Sequence, residues 1–359
     1  MKRLFKILKR MMIVLIVLVA LLGITTYIFM KRPQFGALPE GTRLAAIQSS
    51  PHFKDGRFRN RVEMPIITAG YSMTGEIYKP LFRSFPDREP VNPLPSVKTD
   101  LLAAPRDSDM IVWFGHSSFY LQLGGVRFLA DPIFSGKASP LPGGVRAYKG
   151  SDIYTAADIP EIDYMLLSHD HYDHLDYETA VALKDKVKQP EQIIEKDWDQ
   201  QLEIQPGFTL FTASTHHDSG RGFTRGQSLW LSFYLRAPHM SVYYSGDGGY
   251  DERFRKIFEQ YGAPDWAIME CGQYNEAWRS VHELPEEVAK ATEELQARNL
   301  LTVHHSKFTL AQHPWYEPLE KITAYSENKP YRLATPMIGE TVRLNDNSQQ
   351  FAQWWKNIR

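Results

Sequence analysis

A single cysteine, Cys271, stands among 359 residues, so the chain cannot close a disulfide on itself. No acidic residue occurs in the first 32 positions, and no charge of either sign between Met11 and Met30. Positive charge is not in excess beyond that point: 34 of the 41 Lys and Arg lie after residue 32, facing all 42 Asp and Glu, a net charge of −8. A nucleic-acid binder would show the opposite sign. Internal repeats and low-complexity tracts are missing. So is a nucleophile elbow, because "GHSSF" and "YYSGDGG" do not fit G-x-S-x-G. Serine-elbow chemistry is thereby set aside.

The uncharged run is itself informative. Twenty residues at 1.5 Å each make about 30 Å of helix, the thickness of a bilayer core. Lys2, Arg3, Lys6, Lys9 and Arg10 precede it, and Lys31 and Arg32 close it. A cleaved signal needs a shorter apolar region and a small-residue cleavage site, whereas this run ends in "TTYIFM". The reading is an uncleaved single-pass anchor, residues 1–32. The basic bias places its N-terminus in the cytoplasm and the rest of the chain outside it.

Residues 33–106 read as an extended wrapping segment, with six prolines from Pro80 to Pro105 interleaved with Phe82, Phe85 and Leu94. Residues 107–359 read as the main domain. "MIVWFG" is a buried-strand run, and "FYLQL" and "VRFLA" flank Gly124-Gly125, a two-residue hairpin signal. Further strands are expected at 164–168, 208–212, 229–235, 241–245, 266–270 and 301–304, and helices at 177–183, 251–261 and 286–298. Early hairpins followed by alternating strands and helices imply an α/β fold, a two-sheet core with helices outside.

The densest chemistry is "SHDHYDHLD", residues 168–176, directly after the apolar run "IDYMLL". Alternate residues of an extended segment share a side, so His169 and His171 can converge on one ion. A turn after them lets Asp173 and His174 face a second. Imidazole and carboxylate are ligands that zinc accepts at about 2.0–2.2 Å. Other candidates follow apolar runs: His216 and His217, Asp247, and His304 and His305. One histidine at a strand end is usually a satisfied core residue. Several such clusters point to a metal site at a sheet edge.

These stretches, with "WFGHSSFYLQLGGVRFLADPIFS", "ASTHHDSGRG", "GDGGY", "HELPEEV" and "VHHSKF", resemble the metallo-β-lactamase-fold hydrolases. Within them the chain is similar to the N-acylphosphatidylethanolamine-hydrolysing phospholipase D group. The resemblance spans residues 34–340 and implies a four-layer αββα sandwich with two zinc ions. Carried over by position, it implies that His169, His171 and His216 hold one zinc, that Asp173, His174 and His304 hold the other, and that Asp247 bridges them. His217 and His305 adjoin better-matched histidines and fall outside this set; the family has aromatic residues there, and a Thr where Gly248 stands. His116 and Asp131 match positions near the site, and His282 is a candidate substrate contact. Ser219, Arg221 and Tyr274 are loop candidates. Two zinc ions can share a water and lower its pKa towards neutrality, giving a hydroxide to attack a phosphodiester. The implied activity is membrane-anchored phosphodiester hydrolysis of phospholipase D type on a phospholipid. Lactone or ester hydrolysis is the alternative on this scaffold, and a metal-stabilised binding protein a further one.

Overall fold

In the computed structural model, which describes residues 2–63, 65–187 and 193–358, helix α1 runs over Lys2–Met30 and none of its side chains is buried. It extends nine residues ahead of the uncharged run, because Lys, Arg and Leu are all good helix formers. Among the described residues it is the one helix long and apolar enough to cross a membrane.

The stretch that follows holds more regular structure than its prolines suggest. Helix α2 spans Gly41–Ser49. A small hairpin pairs β1 (Phe53–Lys54) with β2 (Arg57–Phe58). Helix α3 (Met73–Phe82) starts at Ser72, whose hydroxyl accepts from the Gly75 amide. Beyond it the chain bonds to the main body. The Leu94 amide donates to Lys149 and the Val97 amide to Ile338, and Leu94 is buried, whereas Phe82 stays exposed.

Two sheets form the body. Strands β3 (Met110–Trp113), β4 (Phe119–Leu123), β5 (Val126–Ala130) and β6 (Tyr164–Leu166) build most of the first. The β4–β5 hairpin closes Leu123 against Val126. Gly124 and Gly125 turn it at φ of 56° and 78°, the paired positive angles that a two-residue turn of this type needs. After α4 (Tyr177–Leu183) come β7 (Gln201–Gln205), β8 (Phe208–Ser214), β9 (Leu231–Arg236) and β10 (Ser241–Tyr244). Helix α5 (Arg253–Tyr261), β11 (Trp266–Glu270), α6 (Pro285–Glu294), β12 (Asn299–Val303), α7 (Glu317–Tyr325) and β13 (Arg332–Ala334) follow. The last strand, β14 (Thr341–Arg343), returns to the first sheet beside β3. The orders are β14-β3-β4-β5-β6 and β13-β12-β11-β10-β9-β8-β7.

Alternation along the strands sorts side chains into layers. Ile111 and Trp113 of β3, Leu121 of β4, Val242 and Tyr244 of β10 and Trp266 and Ile268 of β11 meet between the sheets. Tyr243, Ala267 and Met269 face the other way, onto Phe254 and Ile257 of α5, Val288 of α6 and Ile322 of α7. Met110, Val112 and Leu129 face outward onto Leu183 of α4. Each large apolar side chain so buried contributes about 1.5–3 kcal/mol. The result is the expected αββα sandwich.

Strand direction then positions the chemistry. β10 to β13 run parallel, and β8 runs with β10 because β9 is antiparallel to both. In the other sheet β3, β5 and β6 share one direction. The loops leaving β3, β5, β6, β8, β10, β11 and β12 carry the candidate residues, at the C-terminal ends of strands from both sheets.

Candidate metal centre

The motif after β6 divides as its spacing predicts. His169 and His171 converge, Nε2 to Nδ1 at 3.0 Å. The chain then turns, with the amides of His174 and Leu175 donating to the His171 carbonyl. That turn carries Asp173 and His174 to a second group, 3.6 Å apart through Oδ2 and Nε2. His304, from the end of β12, joins them with Nε2 3.5 Å from Asp173 Oδ2. Asp247, from the end of β10, lies between the groups: its Oδ2 is 3.0 Å from His174 Nε2, 3.2 Å from His304 Nε2 and 3.9 Å from His169 Nε2.

The third member of the first group is His217, and this corrects the expectation for His216. His217 Nε2 is 3.2 Å from His171 Nδ1 and 4.0 Å from Asp247 Oδ2. His216 turns away, its Nδ1 2.6 Å from the Ser280 carbonyl and its Nε2 3.2 Å from that of Val62. The two rings take different partners, and only that of His217 enters the cluster.

Carboxylates and carbonyls behind the ligand shell set the imidazoles. Asp131 accepts from the Ser168 amide and hydroxyl and from Tyr244 Oη, and holds His174 Nδ1 at 2.9 Å. His217 Nδ1 meets the Val281 carbonyl at 3.0 Å. Glu270, not anticipated from the sequence, holds His304 Nδ1 at 3.1 Å and His282 Nδ1 at 2.9 Å through one oxygen, while the other accepts from the Gly248 amide. Giving Nδ1 to an outer partner leaves Nε2 free for a metal. The one sequence signal for Glu270 was an acid closing the apolar run "WAIME".

His116 contacts Asp173 through Nε2 at 2.9 Å, and its backbone ties the sheets by accepting from His304 and donating to His305. His116, Asp131 and His304 all hold positive φ, at 53°, 38° and 69°. Strain of this kind gathers at functional sites. His282 is partly exposed at the cluster's edge, its ring stacked on His304. The remaining candidates have other partners. His305 is buried against Trp113 and bonds Ser306, Ser219 donates to the Ser228 carbonyl, and Tyr274 donates to Glu317. A side chain at Gly248 would meet Thr215 Oγ1 at 2.0 Å. Thr215 occupies that room and donates to the Asp247 carbonyl.

The donor set suits cations. His174 Nε2, His304 Nε2 and Asp247 Oδ1 are buried with no hydrogen-bond partner. Burial would raise Asp173 and Asp247, but the histidines around them hold both carboxyls well below the usual range. Burial opposes a charge on His174 and His304, yet Asp247 and its neighbours raise both, His304 to about 10. His169 and His217 go the other way. Burial and adjacent imidazoles push them down, His217 to about 3, and the neutral imidazole is the form that ligates a metal. The residues fit metal ions.

Comparison with known proteins agrees. Residues 126–305 match a family model described as a beta-lactamase superfamily domain. An uncharacterised protein of Mycobacterium tuberculosis is 30% identical over 334 residues, covering 87% of this chain and 89% of its own. The N-acyl-phosphatidylethanolamine-hydrolyzing phospholipase D 1 of Caenorhabditis elegans is 27% identical over 269 residues, 65% of this chain and 75% of its own. Among solved structures, a possible metal-dependent hydrolase of Veillonella parvula superposes with a TM-score of 0.52 at 16% identity, covering 66% of this chain and 99% of its own.

Proposed function

From the membership of this chain in the beta-lactamase superfamily, whose metal-dependent hydrolases share its fold, we propose that it is a membrane-anchored phospholipase D-type phosphodiesterase with two zinc ions. The observation that carries this reading is the Asp247 carboxylate between two ligand groups. His169, His171 and His217 would hold one ion, and Asp173, His174 and His304 the other. A structural zinc site is closed and normally holds one ion, so a bridged pair favours catalysis. Two such ions, when bound, supply Lewis acidity towards a phosphoryl oxygen and a lowered pKa for water.

The chain's own residues do the rest. Glu270 and Asp131 keep His304 and His174 in one tautomer and one orientation. Asp247 fixes the spacing of the two groups. His282 gives Nδ1 to Glu270, and its Nε2 remains to hold a proton for the leaving oxygen. In the reaction, water oxygen bonds to phosphorus as the bond from phosphorus to the head-group oxygen breaks, and that oxygen takes up a proton. The substrate proposed is an N-acylphosphatidylethanolamine-like phospholipid, by similarity to the nematode enzyme named above. The anchor, residues 1–32, which contains α1, would span the membrane with its basic end in the cytoplasm. Residues 33–106 would wrap the catalytic unit, 107–359, outside it.

The test is the full-length, metal-loaded chain in vesicles of N-acylphosphatidylethanolamine. Release of phosphatidate and N-acylethanolamine in equal amounts, lost in Asp247→Asn, is the expected result. Turnover of lactones with no diester cleaved would overturn the phosphodiesterase reading in favour of a lactonase.

A further inference from the structure

The end of α1 does not hang free of the catalytic unit. It packs against the loop that leaves His217. Gly222 lies so close to Met30 that a Cβ there would meet Met30 Cε at 3.0 Å. Arg221 donates from Nε and Nη2 to the Gln34 carbonyl, and from Nη1 to the carbonyls of Asp170 and Leu175. Its guanidinium also lies 4.1 Å from the centre of the Tyr172 ring, and Phe35 packs edge-on against that ring. One arginine thus joins the residues just after the anchor to the turn that bears His171 and Asp173.

The level of the anchor at this point is marked by its own residues. Lys31 lies over Tyr27 and Arg32 over Phe29, the pairing of basic and aromatic side chains that gathers where a helix leaves a bilayer. Next to Gly222, Phe223 is 86% exposed. A bare phenyl ring beside the exit of an apolar helix has one fitting cover, the acyl boundary that already receives the helix. Val62 and Ile66, also exposed, belong to the segment whose carbonyls meet His216 and Ser280.

We infer that the loop 218–226, with Phe223 as its inserted side chain, is a second membrane contact that seats the metal-bearing edge of the domain on the lipid surface. A head group then reaches His171 and His217 from the leaflet rather than from bulk water. This rests on the proposed placement of α1 in a membrane.

The chain offers a clean test, because Cys271 is fully buried and a cysteine placed elsewhere is labelled alone. Full-length Phe223→Cys, Tyr27→Cys and Glu327→Cys are labelled with an environment-sensitive dye and reconstituted in phosphatidylcholine vesicles containing shallow nitroxide lipids. The expected result is quenching at Phe223 as strong as at Tyr27, with little at Glu327. Quenching at Tyr27 but not Phe223 overturns this inference alone. Quenching at neither overturns the anchor reading as well. A dye at Phe223 that is shielded in detergent micelles and indifferent to nitroxide would mean a second copy covers the loop, and also overturns it. Phe223→Asp, exposed and outside the ligand set, should lower turnover of vesicle lipid severalfold and leave a short-chain soluble diester unaffected.

Discussion

Replacing His217 and His216 in turn separates a proposed ligand from its neighbour. Both rings are buried, 2% and 3% exposed, so size and burial do not distinguish them. Their partners do. His217→Ala removes a nitrogen 3.2 Å from His171 Nδ1, one of three donors in the first group. Loss of an outer partner of a ligand already costs about 10–100-fold in metal affinity; loss of the ligand should cost at least that, about 1.4–2.7 kcal/mol. His216→Ala instead removes a buried ring whose nitrogens face the carbonyls of Ser280 and Val62, outside the cluster. Removing a buried side chain together with its hydrogen bond costs about 0.5–3 kcal/mol, which lowers Tm by up to several degrees in a domain of this size, at about 2–4 °C per kcal/mol. Metal per chain is measured by mass spectrometry after dialysis against a competing chelator, and Tm by scanning fluorimetry. His217→Ala should lose about half its metal, since one of two groups is broken, and His216→Ala should keep its metal and melt earlier. A His216→Ala protein depleted of metal beside a replete His217→Ala protein would refute the geometric argument.

Asp247→Asn removes the charge between the groups with little change in volume, so activity should collapse while Tm of the metal-free protein moves far less. Glu270→Gln weakens the hold on His304 and His282, and should lower affinity at one of two metal steps about 10–100-fold, read by chelator competition. Burial and Glu270 push the Cys271 thiol well above its usual range, so the folded protein at pH 8 should resist a thiol reagent that modifies one cysteine per chain after denaturation. Gly124→Ala and Gly125→Ala each force a side chain to a positive φ and should cost about 1–2 kcal/mol, seen in denaturant midpoints, with metal content unchanged.

Much of the fold was readable where local chemistry and tertiary need coincide. The hairpin at Gly124-Gly125, the strand Trp266–Glu270 and the helix Tyr177–Leu183 stand where pattern and turn residues put them. What escaped was weak or overridden. Strand β7 reads "QLEIQ", apolar at every second place, but too polar to stand out; it is an edge strand with exposed and half-buried residues in alternation. Helix α7 begins at Glu317-Pro318 inside a stretch with no strong period, and its helicity draws on Leu319 and Ile322 packing against the sheet. Helix α3 rose from a segment read as extended, its start capped by Ser72.

The sequence by itself determined the apolar length of α1, the alternation that sorts side chains into layers, and the split of His169 and His171 from Asp173 and His174. Each depends on the geometry of a few consecutive residues, which the chain carries with it. Only the tertiary structure decided that His217 and not His216 enters the cluster, that Glu270 and Asp131 hold its imidazoles, and that Arg221 joins the residues just after α1 to the turn that bears His171 and Asp173. Those choices turn on which partners residues far apart in sequence meet: Ser280 and Val62 for His216, His171 for His217, Gln34 for Arg221. A side chain's partner across a fold is set by the packing of both sheets together, and no local period encodes it.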